Sequence, residues 1–547
     1  MGARISSALQ DAIARTDLAS VERAQGFDAV VVGGGASGGM AALQLTGAGL
    51  DVLVLDAGWT SRFAEAPVRL ATAAFVRRLA DPRLQSALPP KLVDLGLRAL
   101  KLAGRAHQPV QARCFAWPLA PEAFICDRDR PYRAVDGDFH WFRTEQLGGK
   151  MVVPGHGRQY YRLAERDLNP DDGLSPAWPL ERGELNRWYD YVEDLLGVTG
   201  EDGHDVPPER QVRPNAAEQQ AIEAIRGRWP GVRPFIGRSA PPLDSLGLAA
   251  QTGRLRLRRG AVAAEVLVDA AGVAGGVRFF DRETRSLREA RAPLVFLCAS
   301  ALESTRILLA TSPAAGPIGR RSGALGRHLM DHVILSGEGV SDGLPGEPVE
   351  NEAGRCVYLP RLDRRQDPGG GEGRGHGAQI YRWSLGSGRS YFNAVSFGEM
   401  LPNPENRVTL DRGHTDAYGL PTLRIRCRHS QAEIDRGKDQ VRAVRELGDL
   451  FGVRFSRISA SPAVPGTAIH ECGSARMGED PGNSVLDPFN QCWDARGLYV
   501  TDGAAFPSQG AQNPTLTILA LTARACAHAT GAAEISGLYR KVDGAQV

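Results

Sequence analysis

The sequence predicts an α/β fold: a parallel sheet with helices packed on it, joined to a mixed α+β part that carries an antiparallel sheet. Three stretches predict it. Residues 27–58, FDAVVVGGGASGGMAALQLTGAGLDVLVLDAG, run apolar strand, glycine-rich turn, helix and second apolar strand. Residues 496–526, RGLYVTDGAAFPSQGAQNPTLTILALTARAC, run strand, loop and helix. Residues 377–400, GAQIYRWSLGSGRSYFNAVSFGEM, alternate as a half-exposed antiparallel pair does. A chain of 547 residues is too long for one simple core and points to two domains.

Residues 1–26 read as a short amphipathic helix ahead of the first strand and lack the apolar core of a secretion signal. Met1-Gly2 with Ser6 only superficially fits a myristoylation pattern. DAVVV is a short β-branched run, as in a strand of a parallel sheet buried on both faces. Gly33, Gly35 and Gly38 then complete G-x-G-x-x-G. Gly33 permits the tight turn, Gly35 lets the backbone approach a pyrophosphate, and Gly38 lets the helix sit close to the sheet. The helix start presents free N–H groups and a positive dipole end. Asp56 ends the second strand, where a carboxylate accepts from ribose hydroxyls. Strand, glycines, helix, strand and acid in this order predict a Rossmann-like dinucleotide site, against the alternative of an ordinary glycine-rich turn. The motif does not separate NAD from FAD.

Several function classes drop out on composition. The formal net charge of +2 supplies no field to recruit nucleic acid. The basic stretch GRLRLRRG at 253–260 alternates like a strand with one solvated face. No apolar run reaches the roughly 20 residues of a membrane helix. The eight cysteines (114, 126, 298, 356, 427, 472, 492 and 526) form no C-x-x-C pair and read as buried free thiols in a reducing compartment. The segment RRQDPGGGEGRGHG at 364–377 is too glycine-rich to pack and reads as a surface loop or a lid.

His470, in AIHECGSARMG at 468–478, is open to three readings: metal ligand, packed core histidine, or base. A metal needs more ligands than His470 and Cys472, and no metal is expected.

These stretches together closely resemble the glucose–methanol–choline (GMC) family of FAD-dependent oxidoreductases. Further matches are QLGGKMVVPGHGRQYYRL (146–163), WPLERGELNRWYDYVEDLLGVTG (178–200), PLVFLCASALESTRILL (293–309), LGRHLMDH (325–332) and LPNPENRVTLD (401–411). They resemble most the bacterial branch of sugar and glycoside dehydrogenases and oxidases. The resemblance implies an FAD-binding domain in three segments, 1–165, 246–340 and 465–547. A substrate-binding domain with an antiparallel sheet over the flavin would come from 166–245 and 341–464. It implies non-covalent FAD held by Gly33, Gly35, Ala36, Ser37, Gly38, Asp56, Gly148, Gly149, Val262, Asp502, Gly503, Pro514 and Thr515. His156 lies near the region where some relatives attach flavin covalently, but Val152 and Val153 depart from the pattern of those relatives.

The family's catalytic histidine would be His470, followed by Gly473, Ser474, Arg476, Met477 and Gly478. Its second catalytic position would be Asn513, ahead of Pro514. A neutral imidazole is a suitable proton acceptor near neutral pH, and flavin N5 a suitable hydride acceptor. The expected reaction is oxidation of an alcohol on a sugar or glycoside to a carbonyl. Asn513 would position the alcohol oxygen. Glu471 would orient His470 or be solvated. Arg476 would brace the loop or touch flavin or substrate. His328 and His332 read as structural. Tyr160, Tyr161 and Trp383 could stack on a sugar ring, with a core role the plainer reading of each. The alternatives are a non-sugar alcohol oxidase or dehydrogenase, a non-catalytic flavin-binding protein, and an NAD enzyme. The electron acceptor is O2 or another oxidant. Partners are a small-molecule alcohol or carbohydrate and, in addition, an oligomer or a small subunit; the scattered cysteines argue against an iron–sulfur cluster. The expected compartment is the cytoplasm, with export beside a signal-bearing subunit as the alternative.

Overall fold

A computed structural model describes residues 6–16, 21, 26–59, 95, 107–153, 155–156, 158–170, 172–201, 206–314, 316–342, 355–365, 375–386, 388–532 and 539. The Met1-Gly2 pattern and most of the glycine-rich segment 364–377 lie outside them.

The first sheet has six strands in the order Gln491–Cys492, Ala495–Val500, Leu294–Leu297, Ala29–Val32, Val52–Asp56, Leu255–Arg259. All pair in parallel except Gln491–Cys492, which turns back on its neighbour. Val30 sits opposite Leu53 on one side and Val295 on the other, and Val295 opposite Leu498. The central strands are buried throughout, which is why they read as unbroken apolar runs rather than alternating ones. Helix Ala36–Gly47 packs on this sheet between helices Thr515–Thr530 and Ser245–Gln251. Gly38 makes that approach possible: a Cβ there would lie 1.7 Å from the Gly33 carbonyl oxygen. Val32, Asp56, Leu297 and Val500 are the carboxyl ends of four adjacent strands, and the loops that follow them open onto one cavity. Ligands of open α/β sheets bind at this edge.

The second sheet is antiparallel, in the order Val453–Ile458, Val333–Ser341, Arg389–Gly398, His376–Gly386, Val357–Leu359, Phe235–Ile236. Its alternation decides where its side chains go. Ala378, Ile380, Phe392 and Ala394 face a second core, which also holds Ala443, Val444 and Leu447 of the helix Gln431–Leu450. The opposite face carries Gln379, Tyr381, Trp383, Asn393, Val395 and Phe397 to the cavity. Register places Tyr381 opposite Asn393 and Gln379 opposite Val395. A small antiparallel sheet, Ala261–Val268 with Ala274–Asp281 and Ser286–Ala290, brings Val262 to the cavity.

Candidate active site

One cavity of about 1020 Å³ runs between the two sheets, at the upper end of the roughly 300–1,000 Å³ of ligand sites. Gly33, Gly35, Ala36, Ser37, Asp56, Gly149, Val262, Asp502, Gly503, Pro514, Thr515, His470 and Asn513 all line it. Gly38 and Gly148 are not in its wall. Gly38 lies under the helix, and Gly148 donates its N–H to the Gly34 carbonyl at 3.1 Å, holding the 146–149 loop beside the glycine turn.

The helix beginning at Ala36 has no side-chain cap at Gly35. A Cβ on Gly35 would meet nothing closer than the Gly149 Cα at 4.0 Å, so the two glycines leave open space between backbones. Asp56 accepts from the Gly34 N–H at 2.6 Å and the Gly58 N–H at 2.7 Å. Burial pushes its carboxyl above the usual range, and the two N–H groups oppose that shift. Asp502 is buried too, accepts from Ser304 Oγ at 2.5 Å and the Ala504 N–H at 3.0 Å, and is pushed up to about 6 by burial.

The same cavity is lined by His470 and Asn513. Asn513 immediately precedes Pro514 and the helix Thr515–Thr530. His470 follows Ile469, whose φ of +65° is a strained setting for a β-branched residue. Asp331 holds this loop by accepting from the backbone N–H groups of Gly466 (2.7 Å), Ala468 (3.2 Å) and His470 (3.0 Å). Gly473 is needed on its far side, with φ +80° and a would-be Cβ 2.1 Å from the His328 carbonyl oxygen. Asn513 Nδ2 lies 3.3 Å from His470 Nε2, and Gln379 Nε2 donates to Asn513 Oδ1 at 2.7 Å. Burial is the main cause that holds His470 well below the ordinary imidazole value, with His332, Lys150 and His156 adding to it. The ring is therefore neutral at neutral pH.

The neighbours of His470 differ from the expectation for Glu471. That carboxylate is buried and pairs with Lys150 Nζ at 3.2 Å, and its Oε1 has no hydrogen-bond partner among the described residues. His332 instead touches the ring, Nδ1 to Nδ1, at 2.8 Å. Arg476 braces its loop, donating from Nε to the Asn483 carbonyl at 2.9 Å. His156 lines the cavity beside Phe115, and neither ring nitrogen has a hydrogen-bond partner among the described residues. Burial pushes it down to about 3. Of the three aromatics, Tyr160 and Tyr161 are packed in cores, and Trp383 lines the cavity with Tyr381 beside it. Gln379, Tyr381 and Asn393 were not singled out in the sequence. The period-2 alternation carried their signal, but nothing local told which face of the pair meets the cavity. Seven of the eight cysteines are buried and all are free thiols. Among the described residues no cluster of three or more metal-ligating side chains occurs, and no helix is long and apolar enough to cross a membrane.

Comparison with known proteins agrees with this architecture. The chain is 27% identical to 6'''-hydroxyparomomycin C oxidase of Streptomyces lividus over 90% of its length and 89% of that protein. It is 27% identical to paromamine 6'-oxidase of Streptomyces fradiae, covering 92% and 91% of the two chains. It is 28% identical to 2-methyl-1,2-propanediol dehydrogenase of Mycolicibacterium austroafricanum, covering 75% and 84%. The crystal structure of pyridoxine 4-oxidase from Mesorbium loti shares the fold, with a TM-score of 0.57 at 17% identity over 92% of this chain and 99% of that one. Residues 402–522 match the family described as GMC oxidoreductase. That match over the C-terminal part, the long alignments to oxidases and dehydrogenases, and the shared fold all point the same way, to the GMC oxidoreductases.

Proposed function

We propose that the protein is an FAD-dependent oxidoreductase that oxidises an alcohol group on a sugar or glycoside to a carbonyl, with His470 as the base and Asn513 as the positioning donor. One observation carries it. His470 Nε2 and Asn513 Nδ2 stand 3.3 Å apart in the wall of the same cavity that a glycine cradle under an uncapped helix start also lines.

The residues fit FAD. Gly35 and Gly149 leave the space between backbones that a side chain would fill, suiting a pyrophosphate. Each Asp56 oxygen accepts one backbone N–H and keeps acceptor capacity for a ribose hydroxyl. Val262 with Ala261 and Ala263 supplies an apolar wall for a base. When bound, FAD would supply the electrophile for the carbinol hydride; the O–H proton would go to the protein, leaving a carbonyl. His470 Nε2 receives that proton. Asn513 Nδ2 donates to the same alcohol oxygen and limits its orientations. Gln379, Tyr381, Trp383 and Asn393 offer polar groups beside aromatic faces, a combination suited to a sugar ring and its hydroxyls. The names of the two Streptomyces relatives support the same substrate class.

The test is the purified protein under anaerobic conditions. It should be yellow and release its flavin to the supernatant on acid precipitation; flavin left in the pellet would assign a covalent link instead. D-glucose, methyl β-D-glucoside, D-glucosamine and 2-methyl-1,2-propanediol are then added in turn. Bleaching by a sugar or glycoside supports the proposal. Bleaching by the diol alone replaces it with a non-sugar alcohol oxidoreductase, and bleaching by none overturns it. Recovery of colour on admitting air separates an oxidase from a dehydrogenase.

A further inference from the structure

The hydrogen bonds around His470 can be given donors and acceptors without any ligand. His332 is buried at 1% exposure, and its Nε2 lies 3.1 Å from the Gly510 carbonyl oxygen. A carbonyl only accepts, so this nitrogen carries the proton. Burial pushes His332 down to about 4, so the ring is neutral and its Nδ1 is a bare lone pair. That lone pair faces His470 Nδ1 at 2.8 Å. Two lone pairs at that distance repel, so the proton between the rings belongs to His470 Nδ1. His470 is neutral, and its Nε2 is left unprotonated.

The other side of the ring reaches the same answer from different residues. Tyr381 donates its hydroxyl to Gln379 Oε1 at 2.8 Å, leaving the Gln379 amide nitrogen to donate to Asn513 Oδ1 at 2.7 Å. Asn513 must then turn Nδ2, a donor, toward His470 Nε2. A donor there matches a lone pair on Nε2 and opposes an N–H. The bonds thus run in one direction from Tyr381 through Gln379, Asn513, His470 and His332 to the Gly510 carbonyl.

We infer that His332 is a positioning residue: by accepting the Nδ1–H of His470 it holds that ring in the tautomer whose Nε2 lone pair faces the cavity. The consequence for turnover rests on the reading of His470 as the base; the tautomer itself does not. With the proton on Nε2 instead, His470 could donate to an alcohol oxygen but not accept from it. His332 also stabilises the product of proton uptake, because it remains an acceptor for a charged His470.

The test uses the holoprotein labelled with 15N in its histidine rings, with His332→Gln and His332→Phe as variants and His470→Ala to assign the His470 resonances. Glutamine can still accept from His470 and donate to Gly510; phenylalanine fills the space and does neither. In the parent, His470 Nε2 should show the shift of an unprotonated nitrogen and Nδ1 that of an N–H. The glutamine variant should keep this pattern, and the phenylalanine variant should show protonation at Nε2. The rate constant of flavin reduction by the best alcohol of the panel above should fall on the order of 100-fold in His332→Phe with little change in KM, and recover in large part in His332→Gln. A protonated Nε2 in the parent overturns the inference. So does parent-like reduction in His332→Phe, or equal loss in both variants while flavin is retained. If His332→Phe does not fold, the parent spectrum and the glutamine variant decide. If no alcohol reduces the flavin, the functional reading fails while the spectra still test the tautomer.

Discussion

Asn513 Nδ2 lies 3.3 Å from His470 Nε2 although 43 residues separate the two in the chain. The pair meets because one residue lies in a loop pinned by Asp331 and the other stands just ahead of the helix packed against Ala36–Gly47. His470→Ala removes the proposed base and leaves the glycine cradle untouched. Turnover should fall by about 10²- to 10⁴-fold with flavin content unchanged, measured by absorbance and by anaerobic reduction.

The orientation of Asn513 depends on Gln379, the donor to its Oδ1. In Gln379→Glu the carboxylate has no proton to give, so the Asn513 amide turns over and presents its oxygen to His470 Nε2. Flavin reduction should slow by about 10- to 100-fold, the cost of one mispaired buried group. A stopped-flow rate constant equal to the parent's would show that the amide orientation is set elsewhere.

Burial holds His470 well below the ordinary value of 6.5, so the ring stays neutral on moderate acidification. The reduction rate should remain on its plateau as pH falls through 6.5 and decline only below it. Stability runs the other way. His332 titrates near 4 when folded and near 6.5 when unfolded, so the unfolded chain binds more protons in that window. Its contribution is intact above about 6.5 and is lost as pH falls toward 4, by at most about 1.4 kcal/mol per pH unit. The melting temperature of His332→Gln should therefore drop less steeply on acidification than the parent's.

Asp331 accepts three backbone N–H groups of the loop that carries His470. Asparagine offers one acceptor oxygen and turns an NH₂ toward a donor. Asp331→Asn should cost about 3 kcal/mol, seen in chemical denaturation, and should release the strained Ile469–His470 turn. Activity should fall with it.

In the glycine cradle, Gly35→Val puts a side chain into space that no protein atom occupies within 4 Å except Gly149. The fold should hold, because nothing there clashes with the valine Cβ. Flavin should be lost on purification, read as absorbance per protein and as failure to recover with added FAD.

Much of this protein was legible along the chain. The run from Ala29 to Asp56 announces strand, turn, helix and strand because each part depends on neighbours a few residues away. Glycine at 33, 35 and 38 is a local steric demand, so it shows in the sequence. His470 and Asn513 were nameable only through the resemblance of their short contexts to those of the GMC family. Their partners were not. His332 looks like any buried histidine in RHLMDH, and Glu471, beside His470 in sequence, points instead to Lys150. Gln379 and Tyr381 share one face of a strand, and period 2 predicts that sharing but not what the face meets.

The sequence by itself thus determined the main elements and the glycine turn, since propensity, periodicity and turn sterics act over a few residues. The tertiary structure alone decided that the antiparallel sheet turns Gln379 to Asn513, and that His332 reaches His470 across 138 residues of chain. The physical reason is that a hydrogen bond depends on separation in space within about 3 Å. Only packing of the two sheets around one cavity brings distant residues that close.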